Sequence, residues 1–176
     1  MRQVILGEVI KFTLGKNPTR IKDQGDDLYN PEDFENDLHS QNEIPNDLGC
    51  IISLIKSKAS PVSIQSKDKC LTSNFLMCRF DEMTLDPWFF CYQFNEGKAL
   101  EQQISMYHQG TVLSVKKLNV KIISELRLNL PDIKTQKQIG QLYRQSIIQK
   151  DLLTKQAENI SKFTFGIIRN IEEELS

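Results

Sequence analysis

Glycine and proline are scarce, eight and six among 176 residues. That composition excludes collagen-like repeats and flexible low-complexity arrays. No unbroken apolar run exceeds about five residues, against the ~20 that a membrane-spanning helix needs. The N-terminus meets Glu8 before any hydrophobic segment develops, so no secretory signal is expected and the chain reads as soluble and cytoplasmic. The four cysteines, Cys50, Cys70, Cys78 and Cys91, contain no Cys-x-x-Cys pair, which removes zinc ribbons and thioredoxin-type sites. Three of them, Cys50, Cys78 and Cys91, sit among apolar neighbours and read as reduced structural thiols. His39 and His108 join no metal-ligand spacing; His39, inside an acidic segment, is expected simply to be exposed. No Walker loop, nucleophile elbow, His-Glu-x-x-His or glycine-rich dinucleotide fingerprint occurs. Neither a metal nor a cofactor is expected, and nothing asks for catalysis.

What is present begins with a 39% hydrophobic content, enough for one sizeable core at this length. The net charge of −1 conceals strong segregation. Residues 22–47 carry one basic and nine acidic groups, a net −8, whereas the remainder of the chain is +7. With Pro31, Pro45 and few aliphatic residues, 22–47 reads as a long acidic surface loop. Outside it, Lys16, Arg20, Lys56, Lys58, Lys67, Lys69, Arg79, Lys116 and Lys117 are candidates for one basic face, with Gln109 near it. Lysine and arginine for phosphates beside Asn, Gln and Ser for base edges is the inventory of a DNA-reading surface. The acidic loop is expected to lie away from that face, because carboxylates beside phosphates oppose association.

The first 131 residues mix short strands and helices in no regular alternation, which points to an α+β domain. Strands are expected within 48–56, 61–65, 74–80, 112–115 and 126–130. Asp86-Pro87 reads as an N-cap with proline at the first helical position, opening a helix that stops near Gly97. A second helix is expected over 98–106. After Pro131 the pattern changes. Apolar residues recur in steps of three and four from Ile139 to Leu175, so 132–176 is expected to be one long amphipathic helix. At 1.5 Å per residue it would run about 60 Å, longer than its own domain is wide. Its stripe therefore wants another helix, and a closed homodimer through an antiparallel coiled coil is the simplest answer. Ile139, Leu142, Leu153, Ile160, Ile167, Ile168 and Ile171 are the expected seam.

Leu126-Arg127-Leu128-Asn129-Leu130-Pro131, a short spacer, then Gln136 and Ile139 opening the long helix, resembles the end of a target recognition domain in the specificity subunits of type I restriction–modification systems. Gly110-Thr111 with Leu118, Leu6-Gly7-Glu8-Val9 and Leu85-Asp86-Pro87-Trp88-Phe89 resemble further landmarks of that family. The 22–47 stretch matches none of them. Asp86-Pro87-Trp88-Phe89 also resembles the adenine-holding signature of amino-methyltransferases, but Trp88 replaces its second proline and a helix start accounts for it better. The family's subunits carry two recognition domains, each followed by a long helix, with the two helices packed antiparallel. One of each here resembles half a subunit. The resemblance implies a non-catalytic chain that reads one half of a bipartite target in double-stranded DNA. It would dock methylation and translocase/endonuclease subunits that hold the cofactor and the chemistry. The alternative is an assembly module on the same scaffold that no longer reads DNA.

Overall fold

The structure is a computed structural model that describes residues 2–17, 27–108 and 118–175. Its centre is a four-stranded antiparallel sheet in the order β2 (Lys11–Leu14), β7 (Phe75–Arg79), β4 (Cys50–Ser53), β5 (Lys58–Pro61). The register pairs Phe12 with Cys78 and Cys78 with Cys50, so these three share one face, along with Leu76 and Ile52. That face packs into the larger core with Phe89, Phe90, Cys91 and Phe94 of α3 (Pro87–Glu96). Met77, Ile51 and Phe75 alternate to the opposite face and enter a second core with Tyr29, Phe34, Leu38 and Trp88. Burial on both faces explains why β4 reads as a continuous apolar run rather than an alternation.

A two-stranded ribbon closes the chain on itself. β1 (Arg2–Ile5) pairs antiparallel with β8 (Arg127–Leu130), beside α1 (Leu6–Val9), α4 (Lys98–His108) and α5 (Val120–Glu125). Asp86 caps α3 by accepting from the Phe89 N–H at 2.8 Å, with Pro87 in the first turn, as the sequence leads one to expect. The cysteines are free among the described residues, with Cys50, Cys78 and Cys91 buried. The strand expected at 61–65 is instead β5 at Lys58–Pro61, because a turn at 54–57, with Ser57 at φ 53°, brings Lys58–Pro61 back along β4. Residues 63–69 form turns. The strand expected at 112–115 lies outside the described residues.

The acidic stretch is not simply a loop. It contains β3 (Leu28–Tyr29), paired in parallel with β6 (Cys70–Leu71), and α2 (Pro31–Leu38). Asn30 accepts from the backbone of Glu32 and Asp33 while Asp33 accepts from the Asn30 N–H, a complete capping box. Phe34 is fully buried, and Asp37 accepts hydrogen bonds from the Tyr29 hydroxyl (3.0 Å) and the Ser66 hydroxyl (2.9 Å). Burial raises the Asp37 carboxyl above its ordinary range, with the hydrogen bonds from Ser63, Ser66 and Tyr29 opposing that rise. His39 is likewise not idle: its Nδ1 lies 2.6 Å from Asp151 and its Nε2 3.4 Å from Glu35.

α6 (Ile133–Glu174) runs 42 residues, about 63 Å. Its first half is seated on α3. Gln136, 1% exposed, accepts from the Asp86 N–H and donates to the carbonyls of Thr84 and Pro131. One turn on, Gly140 lets the two helices touch: a Cβ there would lie 2.5 Å from Asp86 Oδ1 and 2.7 Å from Phe89 N. Gly166, farther along the same helix, has nothing within 4 Å of such a Cβ. Gly140→Ala should therefore destabilise the chain by about 2 kcal/mol through overpacking against backbone. Gly166→Ala should stabilise it by up to about 1 kcal/mol through helix propensity. Urea unfolding of the two variants measures both.

Candidate nucleic-acid interface

Sheet register decides which basic side chains can act together. Lys11 stands directly opposite Arg79 on β2 and β7, and both are exposed. At the far end of β2, Lys16 bridges to Thr72 and its N–H donates to the Leu71 carbonyl. Gly15 makes this approach possible, since a Cβ there would lie 2.1 Å from the Thr72 carbonyl oxygen. β2 is an outer strand of its sheet, so Lys11 and Lys16 lie along its rim, with Arg79 across from Lys11 on the adjoining inner strand β7. Five residues of extended chain put Lys11 and Lys16 about 16 Å apart. None of the three has an ion-pair partner among the described residues.

The other candidates are committed elsewhere. Lys56 pairs with Glu35 and lies 5.9 Å from the Phe34 ring centroid. Lys69, only 19% exposed, holds Asp33 at 2.8 Å and Asp27 at 3.5 Å. Lys58 lies 3.6 Å from Glu96, and Lys67 4.0 Å from Asp68. The expectation that the acidic stretch lies away from the basic candidates is thus overturned at Lys56 and Lys69. Carboxylates of α2 and its entry neutralise both, because buried Phe34 and Leu38 fix that helix over the sheet. Lys56 and Lys58, flanking the β4–β5 turn, stand at the opposite end of the sheet from Arg79. Arg20, Gln109, Lys116 and Lys117 lie outside the described residues.

α6 presents two faces. At about 100° per residue, Gln136, Gly140, Tyr143 and Ile147 share one side, and it is the side seated on the domain. Tyr143 receives a hydrogen bond from Asn95 at 3.0 Å, and burial pushes its hydroxyl up to about 12. Arg144 stacks over Trp88 and donates to the carbonyls of Gln41 and Asn42. Leu142, Leu153, Ile160, Ile167 and Ile171 fall within about 40° of one another, some 125° round from the seated side. These remain uncovered: Leu142 is 67% exposed and Ile160 59%. Every side chain from Leu152 to Leu175 is exposed. Ile168 flanks the stripe, whereas Ile139 packs against the chain's own core. Among the described residues no group of three or more His, Cys, Asp or Glu could hold a metal, and no helix is long and apolar enough to cross a membrane.

This architecture has solved counterparts. The HsdS subunit from Thermoanaerobacter tengcongensis superposes with a TM-score of 0.56 at 18% identity, over 89% of this chain and 39% of that one. A chain from the type I R-M system, described for its complex assembly and conformational transition, gives 0.61 at 18% identity, over 93% of this chain and 42% of that one. No family model and no curated protein matches the sequence. The chain therefore has an α+β fold with a long C-terminal helix that is similar to part of an HsdS subunit, and it spans about two fifths of the length of these neighbours.

The charge pairing separates structural lysines from available ones. Lys56→Ala should lower the melting temperature by about 2 °C, the value for a half-exposed pair worth under about 1 kcal/mol. Lys69→Ala should lower it more, and Lys11→Ala, Lys16→Ala and Arg79→Ala should leave it unchanged. Calorimetry at low salt reads the ranking.

Proposed function

We propose that the chain is a DNA-specificity half-subunit of a type I restriction–modification system, non-catalytic in itself. The observation that carries this reading is the pairing of coverages. Nearly all of this chain superposes on about two fifths of an HsdS subunit, which is what one recognition domain with one long helix amounts to. In this reading 1–131 recognises DNA and 132–176 assembles the complex. In this reading a second recognition unit packs on the uncovered stripe of α6, supplied by a second copy, and methylation and translocase/endonuclease subunits complete the assembly.

The same reading assigns the phosphate track to Lys11 and Lys16 on β2, with Thr13 between them, and to Arg79 beside Lys11 on β7. An outer strand offers backbone N–H groups as well as side chains, and both kinds of donor position a protein on phosphates. Lys56 and Lys69 drop to a structural role, while Lys58 and Lys67 sit at looser, exposed pairs. Those paired lysines are also the specific observation favouring the second reading, an assembly module that no longer binds DNA, since they remove two cations from any DNA face.

Fluorescence anisotropy on duplex DNA, titrated with salt, separates the two. Replacing Lys16 or Arg79 by alanine should weaken binding to all sequences alike and lower the slope of log K against log salt by about one. Lys56→Ala should leave the slope unchanged. Absence of any salt-dependent binding by the wild type, with or without methylation subunits, would favour the assembly module.

A further inference from the structure

The last part of the α6 seat is made by the acidic segment. Gln136, Gly140 and Tyr143 meet α3 and its entry. Beyond Tyr143 partners from 27–47 join in. Arg144 donates to the carbonyls of Gln41 at 3.1 Å and Asn42 at 2.6 Å. Ile147 packs on the core that Phe34 and Leu38 help to close. One turn further, Asp151 lies 2.6 Å from Nδ1 of His39. Arg144, Ile147 and Asp151 fall within about 60° of one another on the seated side of the helix. From Leu152 to Leu175 every side chain is exposed, so Asp151 marks the point where α6 leaves the domain.

Seat length decides how far the domain can tilt on its helix. From Gln136 to Tyr143 the seat is about 10 Å long, and from Gln136 to Asp151 about 22 Å. Thermal play of about 1 Å at the end of the seat tilts the domain by about 5.5° on the short seat and about 2.5° on the long one. A surface roughly 25 Å from the helix axis, the scale of a domain of this size, then shifts along the helix by about 2.4 Å or about 1.1 Å. In a two-fold pair tilting in opposite senses over a duplex that runs along the seam, these shifts add to about 5 Å or about 2 Å, against a rise of about 3.4 Å per base pair. The short seat lets the spacing slip by a base pair. The long seat does not.

We propose that the acidic segment is the brace that fixes the gap between half-sites, with His39 and Arg144 as its positioning residues and Ile147 between them. The proposal rests on the two-copy, DNA-reading function above and adds to it a determinant of spacing. Neither positioning residue touches DNA. His39 acts through Asp151, and Arg144 through the backbone at 41–42, on the angle at which α6 leaves the domain.

The triple variant His39→Ala/Arg144→Ala/Ile147→Ala cuts the seat back to Tyr143. Lys56→Ala, which removes a tie between α2 and the β4–β5 turn but none to α6, is the control. Circular dichroism checks that both fold. Selection from a random duplex pool with methylation subunits should give one gap for the wild type and for Lys56→Ala. The triple variant should enrich the same half-site bases over two or more adjacent gap lengths. A single gap in the triple variant, or loss of its half-site bases, would overturn the brace. Spin labels on unnatural amino acids at Ile64 and Lys162, diluted with unlabelled chain, read the same angle without DNA. The within-chain distance distribution should be about twice as wide in the triple variant as in the wild type, the ratio of the two seat lengths. If the triple variant fails to fold, His39→Ala/Arg144→Ala replaces it, with a widening of about 1.4-fold because Ile147 still holds. Equal widths would overturn the brace whether or not the chain binds DNA. A widened distribution in a chain whose wild type binds no DNA would overturn the spacing role together with the function it rests on.

Discussion

The contact between the start of α6 and the N-terminus of α3 governs the rest of the architecture. Gln136 is almost wholly buried and satisfies three backbone groups at once, the Asp86 N–H and the carbonyls of Thr84 and Pro131. Gly140 removes the one Cβ that would hold the helices apart. Burial raises the Asp86 carboxyl above its usual range, while backbone hydrogen bonds from Phe89 and Trp88 and the charge of Lys137 oppose that rise. Further along, Tyr143 and Arg144 engage α3 and the loop at 41–42, and Asp151 meets His39. The long helix thus leaves the domain in a direction set by four successive turns. The proposed function would need that direction fixed, because an error in angle grows along 60 Å of helix.

The acidic segment turns from an anomaly into scaffold. Its helix α2 covers the second face of the sheet with Phe34 and Leu38, and its carboxylates hold lysines from two separate loops. Half-exposed pairs of this kind contribute little stability individually, so the apolar contacts do most of the fastening. The electrostatic consequence is larger than the energetic one. Positive charge at Lys56 and Lys69 is cancelled locally, whereas Lys11, Lys16 and Arg79 have no ion-pair partner among the described residues.

How much of this was legible follows from the range of each signal. α6 and the Asp86-Pro87 cap are announced by neighbours three and four residues apart, and the structure places them where those signals fall. α2 escaped because Pro31–Leu38 holds only Phe34 and Leu38 as large apolar residues, too few for a periodic stripe. Asn30, Pro31 and the first-turn acids Glu32 and Asp33 did carry the local message, as a capping box and proline start. The lysine pairings were beyond reach. Lys56 with Glu35 and Lys69 with Asp33 span 21 and 36 residues, and summing charge by segment counts the partners as separate blocks. Ile139 obeys the heptad step yet turns toward its own core, because only the seat on α3 decides which side of the helix is taken.

α6 has one face seated on its own domain and one uncovered, and under the proposed function a second copy would pack on the uncovered face, so that two copies would read two copies of a half-site. Selection of bound sequences from a random duplex pool by the wild-type chain, together with methylation subunits, tests that claim most directly. The account predicts enrichment of an interrupted palindrome with one fixed gap, the pattern a two-fold protein imposes on its site. Enrichment of a single asymmetric site, or of no sequence at all, would contradict it.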